Sequence, residues 1–149
     1  MSEATIHIDA DPATVYGLVA DVTRMGDWSP ETVSAQWLDG ATGPAVGARF
    51  KGKNKRKMSW STTCTVIAAE PGKEFAFDVG SGDTRWRYRF ESTAGGTDVT
   101  ESCEILKQPG ALMRVLTKIG TGVRWDEREA DILQGMETTL ANLKAKAEA

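Results

Sequence analysis

Histidine and cysteine are scarce in this chain. Its 149 residues hold one histidine, His7, and two cysteines, Cys64 and Cys103. Three such residues do not assemble a zinc set, so no metal is expected. His7 falls by parity on the wet face of a strand, which argues against a histidine-dependent triad or a metal hydrolase. No G-x-G-x-x-G follows a strand and no Walker loop occurs; Gly120-Thr121-Gly122 lacks both the third glycine and the preceding strand. No cofactor is expected. Long apolar runs are missing too, and none approaches the ~20 residues of a membrane-crossing helix. The opening Met1-Ser2-Glu3-Ala4 has neither the basic nor the apolar region of a secretory signal, so the expected location is the cytoplasm. Cations are not in excess: the net charge is −3, which makes nucleic acid a poor default partner.

What is present is a balanced globular composition, 40% hydrophobic and 26% charged. The length suits one domain, residues 1–149, able to bury a core without disulfides or metals. Residues 3–8 alternate, with Ile6 and Ile8 on one face. Asp11-Pro12 then reads as an N-cap followed by a first-turn proline, and Val15, Leu18 and Val19 repeat at helical spacing. A second short helix is expected over 22–27. Strands follow over 33–38, 48–56, 59–69, 75–79, 84–91 and 97–106, separated by turns rich in glycine and proline. The clearest is 84–91, where Trp86, Tyr88 and Phe90 face one way and Arg85, Arg87 and Arg89 the other. After Pro109-Gly110 the period changes. A short amphipathic helix over 112–119 precedes a long one over 124–146, which would run about 35 Å. Hairpin-length turns make the later strands antiparallel. A half-buried sheet and a long amphipathic helix must cover each other, so the class is α+β. Cys64 and Cys103 fall three strands apart, about 14 Å, and are expected as buried free thiols.

The pattern resembles the SRPBCC superfamily, also called START-like or helix-grip proteins. The resemblance covers nearly the whole chain. It rests on Asp11-Pro12 with Val15 and Tyr16, Trp28-Ser29-Pro30-Glu31, Val46-Gly47-Ala48-Arg49-Phe50, Gly52-Lys53-Asn54 and Glu70-Pro71. Trp86, Gly96-Thr97-Asp98-Val99, Gly135-Met136 and Thr139–Lys144 complete it. The chain looks most like the small bacterial group labelled polyketide cyclase/dehydratase. The resemblance implies a seven-stranded curved antiparallel sheet around the C-terminal helix, two short helices after the first strand, and a cavity between sheet and helix. It does not select a function, because this superfamily hosts carriers, cyclases, oxygenase subunits and chaperone activators.

The inward faces carry the candidate chemistry. Phe50, Trp60, Phe75, Phe77, Trp86, Tyr88 and Phe90 set aromatic rings across the sheet, and a sheet gripping one helix tends to leave a ligand space on its concave side. Trp28, with Leu116 and Ile119 on the 112–119 helix, would rim that space, and flanking glycines suit a lid. Cys103, Leu133 and Met136 would line it. Four inward polar side chains are more informative, because buried polar groups need partners: Asn54, Thr62, Tyr88 and Glu101. Glu101 shares its parity with Val99, Cys103 and Ile105. Desolvation would raise its pKa and make it a candidate acid or base, unless a bulge turns it outward or an arginine or a backbone amide pairs with it. Two basic stripes, Lys51-Lys53-Lys55 and Arg85-Arg87-Arg89, face outward and read first as solvated strand faces.

The leading expectation is binding or transport of a small hydrophobic molecule (lipid, fatty-acyl or polyketide-like) by a monomer or dimer. A cyclase or dehydratase using the same cavity is the alternative, with Glu101 as acid or base and Tyr88 and Asn54 polarising carbonyls. A protein- or RNA-binding module using the basic stripes is the third.

Overall fold

The computed structural model describes residues 1–149. Strand β1 (Ser2–Ile8) leads into helix α1 (Pro12–Ala20) and a 3-10 helix (Val22–Asp27). Six strands follow: β2 (Thr32–Trp37), β3 (Arg49–Lys55), β4 (Ser59–Glu70), β5 (Glu74–Val79), β6 (Thr84–Thr93) and β7 (Gly96–Ile105). Helices α2 (Ala111–Thr121) and α3 (Trp125–Ala147) end the chain. The strands form one antiparallel sheet in the order β1-β7-β6-β5-β4-β3-β2. Consecutive hairpins build most of it, and β1 closes the far edge against β7. This is the expected α+β helix-grip architecture. The segment 22–27 is a 3-10 helix, and β4 and β6 run on to Glu70 and Thr93.

Local chemistry explains the connections. Asp11 caps α1: its carboxylate accepts from the Thr14 amide at 2.9 Å, and Pro12 needs no hydrogen-bond acceptor at the first helical position. Gly26 lets the 3-10 helix lie against β2, because a Cβ there would collide with the Val33 carbonyl oxygen. That packing places Trp28, 3% exposed, at the edge of the core. Gly122, at φ +79°, ends α2 in a left-handed cap whose amide bonds the Lys118 carbonyl at 2.8 Å.

The core fills one end of the space between sheet and helices. Val15, Tyr16 and Val19 of α1 join Phe75, Phe77, Phe90 and Val99 of the sheet and Leu140 and Leu143 of α3 in one cluster. Tyr16 meets Phe90 edge-on at 5.7 Å, and Phe50 meets Phe77 at 5.1 Å. Cys64 and Cys103 are free and buried, and burial pushes both thiols up to about 12.

Helix α3 is held unevenly along its length. At its C-terminal end Lys144 Nζ donates to the His7 carbonyl at 2.8 Å, and Asn142 Nδ2 donates to the Trp28 carbonyl at 3.0 Å. Met136, Leu140 and Leu143 are buried there, whereas Trp125, Ile132 and Leu133 are only half-buried. A charge quartet ties down the N-terminal end instead. Arg128 of α3 donates to Glu31 beside β2 at 3.0 and 3.2 Å and also bonds Asp131. Arg56 beyond β3 donates to Asp131 at 3.1 Å and lies 3.4 Å from Glu31. Burial works to raise the Asp131 carboxyl, but the bonds from Arg56 and Arg128 outweigh it and hold the group below its ordinary value.

The quartet is two cations and two anions with side chains 13% to 30% exposed. Arg128→Gln leaves Glu31 and Asp131 sharing Arg56 alone. The expected loss is about 1–3 kcal/mol of unfolding free energy, discounted for partial exposure. Urea denaturation checks it.

Candidate functional site

The strand register places the inward polar groups. Tyr88 of β6 stands opposite Glu101 of β7, and Trp86 stands between Phe77 and Cys103. Across the sheet, Asn54 of β3 is opposite Trp60, and Gly52 is opposite Thr62. The bulges lie between Thr32 and Ser34 and between Val66 and Ala68, so these pairings keep their parity.

Two polar groupings result. In the first, Thr32 Oγ1 donates to Asn54 Oδ1 at 2.8 Å, and Asn54 Nδ2 donates to Thr62 Oγ1 at 3.2 Å. Gly52 leaves a recess beside them, since a Cβ there would stand 3.4 Å from Thr62 Oγ1. In the second, the Tyr88 hydroxyl donates to Glu101 Oε1 at 2.8 Å. Glu101 is 2% exposed, and its other oxygen, Oε2, is buried without a protein partner. Burial raises the Glu101 carboxyl from 4.5 to about 8, against the smaller opposing effect of the Tyr88 bond. Burial also raises Tyr88 well above its ordinary value, with the adjacent carboxylate adding to the effect. At neutral pH both groups therefore keep their protons. Glu101 is then an acid that accepts from Tyr88 and has a donor left over.

The inward aromatics divide by exposure. Phe50, Phe75, Phe77, Tyr88 and Phe90 are buried, as are Asn54, Cys103 and Met136. Trp60, Thr62, Trp86 and Leu133 are half-buried. Of these, Trp60 lies beside Gly120 of α2 and Trp86 packs against the core cluster. The structure does not bring Leu116 and Ile119 to this cluster. They are 47% and 52% exposed, on the side of α2 that faces away from the sheet. Ile119 instead lines an open groove of about 680 Å³ with Val115 and Trp125. His7 is exposed, bonded to Asp98 at 2.9 Å and Asp9 at 3.0 Å, which raises its pKa. Of the outward arginines, Arg85 bonds Asp78 at 2.8 Å and Arg87 bonds Glu74, while Lys51, Lys53 and Lys55 stay exposed. The charge quartet is not legible in the sequence. The Arg128–Asp131 spacing of three residues on a helix was its only local signal.

The sign of the Glu101 effect on stability follows from linkage. The unfolded chain ionises this carboxyl near 4.5, whereas the folded chain holds the proton to about 8. The folded state thus binds more protons between those values, and stability falls as pH rises through that window by up to about 1.4 kcal/mol per pH unit. Glu101→Gln removes the titration. The variant's Tm should match wild type near pH 5 and exceed it near pH 8, read by thermal melts across that range.

Comparison with known proteins places this geometry. The family model described as polyketide cyclase/dehydrase and lipid transport matches residues 2–148. Among curated proteins no sequence matches significantly. The solution structure of a polyketide-cyclase-like protein of Corynebacterium glutamicum, Cgl2372, is 33% identical over 95% of this chain and 87% of that one, with a TM-score of 0.63. KanY, also solved in solution, is 18% identical over 99% and 97%, with a TM-score of 0.72. The dimeric Aha1 of Colwellia psychrerythraea is 16% identical over 99% and 95%, with a TM-score of 0.64. The last two share the fold. With its sheet gripping α3 and a family match along nearly its whole length, the chain belongs to the polyketide cyclase/dehydrase and lipid transport family of the SRPBCC superfamily.

Proposed function

We propose that this protein binds and carries a small hydrophobic molecule between the sheet and α3, with the ligand's polar end at Glu101. The unpartnered Glu101 Oε2 carries the reading. A buried donor without a partner is costly, on the order of 1–3 kcal/mol, and a ligand carbonyl or hydroxyl would relieve that cost. Around it the wall is apolar and aromatic: the register sets Cys103 two residues along β7 and Phe75 and Phe77 across β6 on the same face, all buried. Trp60, Trp86 and Leu133, being half-buried, supply the accessible side for a flat or extended apolar body.

A second reading is favoured by the retained proton. An acid buried against an apolar wall can hydrogen-bond a ligand carbonyl and hand over a proton as charge develops there. Tyr88 would fix its orientation, and the Asn54–Thr62 pair would hold a second oxygen. This is the cyclase or dehydratase form of the same site.

Native mass spectrometry of protein purified from cells, followed by denaturing extraction, tests binding directly. A co-purifying lipid, acyl or polycyclic mass is expected, and quenching of tryptophan emission should follow its re-addition. Affinity should fall as pH rises through about 8, where Glu101 loses its donor. Glu101→Gln keeps a donor there and should flatten the pH dependence, whereas Glu101→Leu removes it and should weaken binding about five-fold. A clean unliganded mass with no quenching by a panel of fatty acids and polycyclic aromatics would remove the proposal.

A further inference from the structure

Helix α2 is amphipathic, yet its apolar edge faces outward. Leu112, Met113, Val115, Leu116 and Ile119 are 47% to 71% exposed. The residues it turns toward the domain are small or polar: Thr121 is buried, and Thr117 and Gly120 are half-buried. It meets the β3–β4 hairpin at its two glycines, where the Met58 amide donates to the Gly120 carbonyl at 2.9 Å and the Lys57 side chain lies against Gly122. Met58, 55% exposed, extends the apolar surface onto that hairpin. Half of the chain's ten exposed large hydrophobic residues lie on this one helix. Soluble proteins rarely concentrate apolar exposure in this way without something to cover it.

Charge identifies the cover. From Ile105 to Trp125 there are four cations, Lys107, Arg114, Lys118 and Arg124, and no aspartate or glutamate. The whole chain carries −3, so this stretch is a local reversal of sign. Arg114 and Lys118 are exposed and stand beside the groove lined by Val115 and Ile119. Arg124 pairs with Asp126 at 2.8 Å, which leaves the other three cations without an anion. A second copy of the chain meeting this face across a two-fold axis would set cation against cation. A bilayer with anionic headgroups meets both requirements at once, accepting the apolar edge at acyl depth and the cations at the phosphates.

We infer that α2 is a docking helix for an anionic lipid surface. It lies in the interface plane and does not cross; no helix of this chain is long and apolar enough to do so. Docking would bring the half-buried end of the sheet, with Trp60 beside Gly120, toward the lipid. The surface stands on α2 alone and goes beyond the ligand reading: it can hold whether or not the interior carries a ligand.

Cosedimentation of the full chain with vesicles tests it. One set is phosphatidylcholine and the other equal parts phosphatidylcholine and phosphatidylglycerol, at low and high salt. Binding to the anionic vesicles is expected, weaker at high salt and absent from pure phosphatidylcholine. Arg114→Gln with Lys118→Gln should weaken it roughly thirty-fold. Leu112→Ser with Ile119→Ser should reduce it to background. All four positions are exposed, and unchanged melting curves would show that the variants remain folded. The inference is overturned if the anionic vesicles do not bind the protein, or if both double variants bind like wild type. It is overturned equally if the apolar variant instead dissolves a dimer that never binds vesicles. Failure here leaves the mass-spectrometric test of the interior untouched.

Discussion

One helix has to cover seven strands, and most of this structure answers that constraint. At ~4.8 Å per spacing the sheet is about 29 Å across, while a helix with its side chains is about 10–12 Å wide. Curvature narrows the deficit without removing it. At one end α1 and the 3-10 helix complete the cover, and there the aromatic rings meet edge-on around Leu140 and Leu143. Elsewhere α2 turns its apolar edge away, and the indole of Trp60 beside it is left half-buried. The dense cluster under α1 and the half-buried indole beside α2 are two outcomes of one incomplete closure.

Charge is arranged to match. The inner face holds groups that stay neutral at physiological pH: the Glu101 acid, the Tyr88 phenol and two thiols pushed up to about 12. Ionised groups are kept at the rim, where Glu31, Arg56, Arg128 and Asp131 balance one another. Their ion pairs fasten the half of α3 that apolar packing holds least. An electrostatic clamp at the N-terminal half and hydrophobic packing at the C-terminal half therefore hold opposite ends of the same helix.

Strand parity made the sheet readable, because alternation survives wherever bulges are absent. Glu101 and Tyr88 were placed on one face by that rule, and the register puts them in adjacent strands at hydrogen-bond distance. Their mutual pairing could not be read from parity, which says nothing about which strands adjoin. The same limit hid the quartet, whose members lie as much as 100 residues apart, from Glu31 to Asp131. Helical periodicity marked an apolar stripe on α2 without saying which way it faces. That depends on a short link through Gly120 and Gly122 and on a backbone bond to the hairpin.

The two thiols lie on opposite sides of the central strands, Cys64 on β4 and Cys103 on β7, each at most 3% exposed. A water-borne alkylating reagent reaches neither while the domain stays closed, and chemistry at the sulfur is further slowed by the raised thiol pKa. Modification therefore waits on opening of the domain. Because the chain has no other cysteine, the rates at the two sulfurs form a built-in pair of clocks. Equal rates would mean that the domain opens as one piece, and unequal rates would show which flank of the sheet breathes first.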